Sequence, residues 1–127
     1  MNRLTITSVV CDETCATFEA YDNVFMPIQA DGGLPIRYPP YGNQKMTDGD
    51  AMDLPDGGLK VDYEYGVVVT FWDEDSKIVQ DLNQPDYLFN INVNAGSTSG
   101  SNTKYNLNGA KYTFHRDVAY NVEASNA

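Results

Sequence analysis

Gly66-Val67-Val68-Val69-Thr70-Phe71-Trp72 is followed at once by Asp73-Glu74-Asp75-Ser76-Lys77-Ile78-Val79-Gln80-Asp81. Behind its leading glycine the first run is wholly β-branched or aromatic, a composition that fits a pleated surface and carries no helical period. Its unbroken apolar character predicts a strand that is central in its sheet and covered. The acids end it. Residues two apart on a strand face the same side, so Asp73 and Asp75 point together as the strand runs out, and Asp81 returns from across a short loop. Ile78 and Val79 fall at the tip of that loop, where burial in the protein's own core is difficult.

Working outward, strand-like runs recur between Gly, Pro, Asn and Asp clusters, and helical periodicity is hard to find. The expected strands are Leu4 to Val10, Val24 to Ala30, Leu34 to Tyr38, Ala51 to Leu54, Leu59 to Tyr65, Gly66 to Trp72, Tyr87 to Asn94, Ala110 to His115 and Val118 to Val122, with a kink at Arg116-Asp117. Asp31-Gly32-Gly33 and Asp56-Gly57-Gly58 supply tight reversals, and Pro39-Pro40-Tyr41-Gly42 a loop. Ala95 to Tyr105 is small and polar and reads as a mobile loop. The expectation is an all-β chain, one antiparallel β-sandwich domain over residues 1–127, each sheet hiding one face.

The balance of 18 acidic against 8 basic side chains gives a formal charge of -10 over 127 residues. With no Lys/Arg cluster, nucleic acid is an unsuitable partner, because phosphate binding needs a basic face. Adsorption to anionic lipid by charge alone is excluded on the same ground, although a bound cation reverses the sign locally. The first residues alternate apolar and polar, lacking a signal-peptide run, and no stretch reaches the length of a membrane span. A cytoplasmic or peripheral membrane location is expected, with export by an uncleaved route left open. Cys11 and Cys15 lie too close in sequence to staple the fold.

Three acidic groups converge on one end of such a sandwich: Asp12-Glu13 with Glu19 and Asp22, then Asp48-Gly49-Asp50, then Asp73, Asp75 and Asp81. Loops are also acidic simply because they are solvated and Asp favours turns, a reading that suits Asp48, Asp50, Asp53 and Asp56 best. For Asp73, Asp75 and Asp81, their place directly after an apolar strand favours a cradle for a hard cation. Calcium takes six to eight oxygens in a flexible arrangement.

The stretch from Val67 to Leu88 resembles the third calcium loop of the C2 domain, the lipid-binding module of the protein kinase C and synaptotagmin type: a strand, Asp-x-Asp, five residues, then Asp, here Asp73, Asp75 and Asp81. Leu4 to Val10, an acidic loop, and Tyr21-Asp22-Asn23-Val24-Phe25 are similar to that family's first strand, first loop and the Asp that begins its second strand. Ala16 stands where the first loop usually carries another Asp, and Leu82 where a Gly follows the final Asp, so a divergent relative holding a single ion is implied. The resemblance implies a non-enzymatic sandwich of about eight strands that meets anionic phospholipid, or a protein partner, through a Ca2+ ion. Asp73, Asp75, Asp81, Asp22 and Asp12 or Glu13 would hold the ion. Phe18, Ile78 and Val79 would dip into the interface, and Lys77 would meet a lipid phosphate.

Two other classes remain. Tyr38, Tyr41, Tyr63, Tyr65 and Trp72 form a potential aromatic platform for sugar rings, against the plainer view that tyrosines pack well in half-buried sheets. An assembly subunit pairing through edge strands is the other. His115 is the only histidine: a hydrolytic triad would need it beside a serine and an acid, a structural place at a strand end suits it better, and a zinc site with Cys11 and Cys15 has neither the usual spacing nor the ligand count.

Overall fold

The computed structural model describes residues 1–14, 21–74, 86–105 and 109–122. These form β1 (Asn2–Glu13), β2 (Asp22–Ala30), β3 (Ile36–Tyr38), β4 (Gln44–Met46), β5 (Leu59–Tyr63), β6 (Gly66–Asp73), β7 (Asp86–Asn94), β8 (Gly100–Tyr105) and β9 (Lys111–Ala119), with no helix among them. One sheet runs β5-β1-β9-β8; the other runs β3-β2-β6-β7, with β4 also on β2. All pairings are antiparallel. The all-β sandwich expected from the sequence is the observed fold.

Between the sheets, Leu4, Ile6, Val9 and Cys11 of β1 and Tyr112 and Phe114 of β9 meet Val24, Met26 and Ile28 of β2 and Val67, Val69 and Phe71 of β6. Phe71 is the hub, its ring centroid 4.6 Å from that of Phe89, 6.4 Å from Tyr112 and 6.0 Å from Phe114. Strand alternation alone does not produce this core. The inward positions of β1 change from Leu4 and Ile6 to Val9 and Cys11, and the register on β9 slips between Ile6 and Ser8. Thr7 is thus an extra, bulged residue that moves the inward phase by one. A second slip, between Phe71 and Trp72 against β7, leaves both Leu88 and Phe89 buried.

Several expectations are corrected. β6 is central, between β2 and β7, but covered on one face only: Val67, Val69 and Phe71 point in, while Val68 is exposed. Ala51 to Leu54 is not a strand; it contributes one bridge, Ala51 to Val10, and caps the upper edge of β1 through Cys11 N to Asp50 O (2.8 Å) and Met52 N to Val9 O (2.8 Å). Leu34 is 93% exposed, and β3 begins only at Ile36. Prolines 39 and 40 offer no N–H, and pairing along that edge of β2 resumes as β4. The polar segment from Ala95 to Tyr105 contains β8, an edge strand whose pairing with β9 outweighs its weak intrinsic preference. No kink interrupts β9 at Arg116-Asp117, because the irregularity lies on the partner strand at Thr7.

Candidate cation site at the acidic end

β1 ends, β2 begins and β6 ends on the same side of the sandwich, as the registers Cys11↔Tyr112, Asp22↔Met46 and Val24↔Asp73 require. Strand alternation then turns Asp22 and Asp73 inward, on neighbouring strands, at the mouth between the sheets. They are 0% and 8% exposed, the two buried charged residues among those described. Such groups need hydrogen bonds to be tolerated. The Tyr112 hydroxyl donates to Asp22 Oδ2 at 2.6 Å, and the Asn23 backbone N–H donates to Asp73 Oδ1 at 2.8 Å. Glu74 continues the pairing, its N–H donating to Asn23 O at 2.8 Å.

Beneath this mouth lies a buried polar group that sequence reasoning did not assemble. Burial, followed by the carboxylate of Asp22 that its hydroxyl serves, pushes the Tyr112 phenol far above its ordinary value. Burial likewise pushes the Cys11 thiol up to about 11, and the fields of Asp22, Asp48 and Asp12 add to the rise. Cys11 is a free thiol held neutral, unsuited to nucleophilic chemistry. Alternation along Tyr112, Phe114 and Val118 signals that Tyr112 points inward; nothing in the sequence says that its hydroxyl finds Asp22.

The other expected ligands are placed differently. Asp12 turns to the outer face of its sheet, where its Oδ2 accepts from Thr113 Oγ1 at 2.6 Å, and Glu13 is exposed at the strand end. Asp48 Oδ1 accepts from Thr14 N at 2.9 Å, clamping the 47–50 turn onto β1. Asp50 Oδ2 accepts from Thr47 N and Oγ1, both at 2.8 Å, and these bonds hold its carboxyl below the usual range. Asp48 and Asp50 therefore do turn-forming work, as the solvated-loop reading has it. Asp75, Asp81, Phe18, Lys77, Ile78 and Val79 lie outside the described residues. Among the described residues alone, no group of three or more His, Cys, Asp or Glu is arranged to hold a metal ion.

The tyrosine platform drawn from the sequence does not survive. Tyr63 is 0% exposed, and the Tyr38 hydroxyl is engaged by Asp53 O. Tyr41 and Tyr65 are exposed but belong to separate loops. Trp72 instead joins Phe25 and Tyr87 on the outer face of the five-stranded sheet.

No protein-family model and no curated protein matches this chain. A solved structure described as "Structure of a C2 domain" does match in fold, with a TM-score of 0.55 at 8% identity, over 94% of this chain and 99% of that one. The sandwich is C2-like. No helix among the described residues is long and apolar enough to cross a membrane.

Proposed function

We propose that this single-domain sandwich is a non-enzymatic, cation-dependent docking module. Calcium is held at the acidic end by Asp22 and Asp73 together with Asp75 and Asp81, Glu13 standing at the rim. The observation that carries this reading is the pair of inward carboxylates, Asp22 and Asp73, on adjacent strands at one mouth of a C2-like fold. Their oxygens are hard donors of the kind calcium and magnesium take, and calcium tolerates the irregular geometry that loops offer. Asp12, engaged on the opposite face by Thr113, is the least suited of the expected ligands.

A bound dication would neutralise the carboxylates and offer a bridge to an anionic lipid phosphate, with Phe18, Ile78 and Val79 adding apolar contact worth about 25 cal/mol per Å² buried, and Lys77 a further phosphate contact. Calorimetric titration of chelator-stripped protein with calcium and with magnesium tests the site. Calcium should release or absorb heat, raise the melting temperature and bring the protein down with anionic liposomes; the Asp73→Asn/Asp75→Asn variant should show none of these. Silence toward both ions would falsify the assignment, while ion binding without cosedimentation would redirect the docking to a protein partner.

A further inference from the structure

The outer face of the five-stranded sheet carries a second feature, independent of the acidic mouth. Across it runs a fixed row: the Arg37 guanidinium lies 4.2 Å from the Phe25 ring centroid, Phe25 is stacked on Trp72 at 6.5 Å with 12° between planes, and Trp72 meets Tyr87 edge-on at 5.5 Å. These rings hold one another in place on a surface that folding does not cover, and Tyr87 is 47% exposed. Further along the same strands the face dips into a shallow open trough of about 510 Å³, lined by Gln29, Tyr65, Gly66, Val68, Asn92 and Asn94. Gly66 gives the trough its floor. A Cβ there would stand 2.9 Å from Val93 O, so the position is tight against β7 and presents no side chain outward.

The polarity of this face selects its ligand. In a chain of charge -10, the outward residues Phe25, Pro27 and Gln29 of β2, Val68, Thr70 and Trp72 of β6, and Asn90 and Asn92 of β7 include no acid and no base. Arg37 is spent on the Phe25 ring and Lys45 of β4 on the Tyr21 ring, and Asp31 at the trough's end already accepts three backbone N–H groups. What remains are amides and a hydroxyl, groups that both donate and accept without charge. Asn90 Nδ2 donates to Asn92 Oδ1 at 3.0 Å, which orients the Asn92 amide and leaves its N–H donors to a ligand. Aromatic edges and faces beside neutral hydrogen-bonding groups, along about 20 Å of sheet face from the trough at Gly66 to Trp72, match a chain of sugar rings, apolar on their C–H faces and hydroxylated at their rims.

We infer that the outer face of the five-stranded sheet, from Trp72 and Tyr87 to the trough over Gly66, binds a neutral oligosaccharide laid along β6. Preformed rings and an oriented amide reduce the ordering that binding requires.

Native electrophoresis of the whole chain through gels containing laminarin, hydroxyethylcellulose, arabinoxylan, galactomannan or glycogen tests this. At least one should retard the wild type, with the chelator making no difference. Trp72→Ala and Tyr87→Ala should each weaken the retardation by about tenfold or more. Val68→Lys, at an exposed position outside the core, should abolish it by placing a charged chain in the trough, and serves where Trp72→Ala impairs folding. Absence of retardation in all five gels overturns the inference, as does retardation that survives both Val68→Lys and Trp72→Ala. Val68 lies five residues along β6 from Asp73, so the calcium-induced melting shift, measured on the same samples, should be unchanged in Val68→Lys, and either reading can fail alone.

Discussion

Tyr112 and Asp22, ninety positions apart in sequence, are joined across the two sheets by a 2.6 Å hydrogen bond at 1% and 0% exposure. This bond fastens the candidate cation site to the core. Tyr112→Phe keeps the ring and its packing but withdraws a donor from a buried carboxylate, which should cost about 1.5–3 kcal/mol in urea unfolding. Calcium should recover part of that loss if Asp22 is a ligand, because the ion takes over the compensation of its charge.

Asp31 plays a comparable part at the opposite end. Its carboxylate accepts from the backbone N–H groups of Glu64, Tyr65 and Gly66 at 2.8, 2.7 and 3.0 Å, closing the reversal between β5 and β6. These bonds hold its carboxyl below the usual range. A depressed folded value means the stabilisation is complete above the unfolded value and is lost as pH falls toward the folded one. Asp31→Asn should therefore melt below the wild type at neutral pH, with the gap closing as pH drops through about 4. A gap independent of pH would place the effect in loop geometry rather than charge.

Tyr63 offers the opposite case. Its hydroxyl is buried without a hydrogen-bond partner among the described residues. Removing an unsatisfied polar atom sacrifices no bond, so Tyr63→Phe should lie within about 1 kcal/mol of wild type or gain stability in denaturant unfolding. A loss of several kcal/mol would reveal a bridging water that the hydroxyl serves.

Phe71→Ala should remove the ring that Phe89, Tyr112 and Phe114 share and cost about 3–5 kcal/mol. Gly58→Ala should destabilise by a different route. The glycine has φ +91°, and a Cβ would sit 2.7 Å from Ile6 O and 2.8 Å from the Thr5 methyl. Thermal melts of the two variants should both be lowered, while near-ultraviolet circular dichroism should report lost aromatic packing in Phe71→Ala alone.

The strands legible in the sequence were those whose side chains declare two environments, such as β2, where Asp22, Val24, Met26 and Ile28 alternate inward. β8 was illegible because an edge strand buries little: Ser101, Thr103 and Tyr105 face water, and its existence rests on backbone pairing with β9 that no local pattern records. Residues 51–54 misled for the converse reason. Met52 is buried and its neighbours look strand-like, yet the chain touches β1 at one bridge only. At the candidate site, the gathering of acids at one end was readable from strand order. The outward turn of Asp12 was not, since a slip between Cys11 and Glu13 against β9 sets the local geometry there.

The extra residue at Thr7 marks a point in the first strand where the sandwich can absorb a change of length. Delete it and Ser8 follows Ile6 directly, plain alternation is restored, and Val9 and Cys11 still face the interior in unchanged register with β9. Remove the paired Val10 instead and Cys11 turns outward, so the acidic mouth loses its floor before any of its own residues has been altered. Homologues should tolerate the loss of residue 7 but not of residue 10.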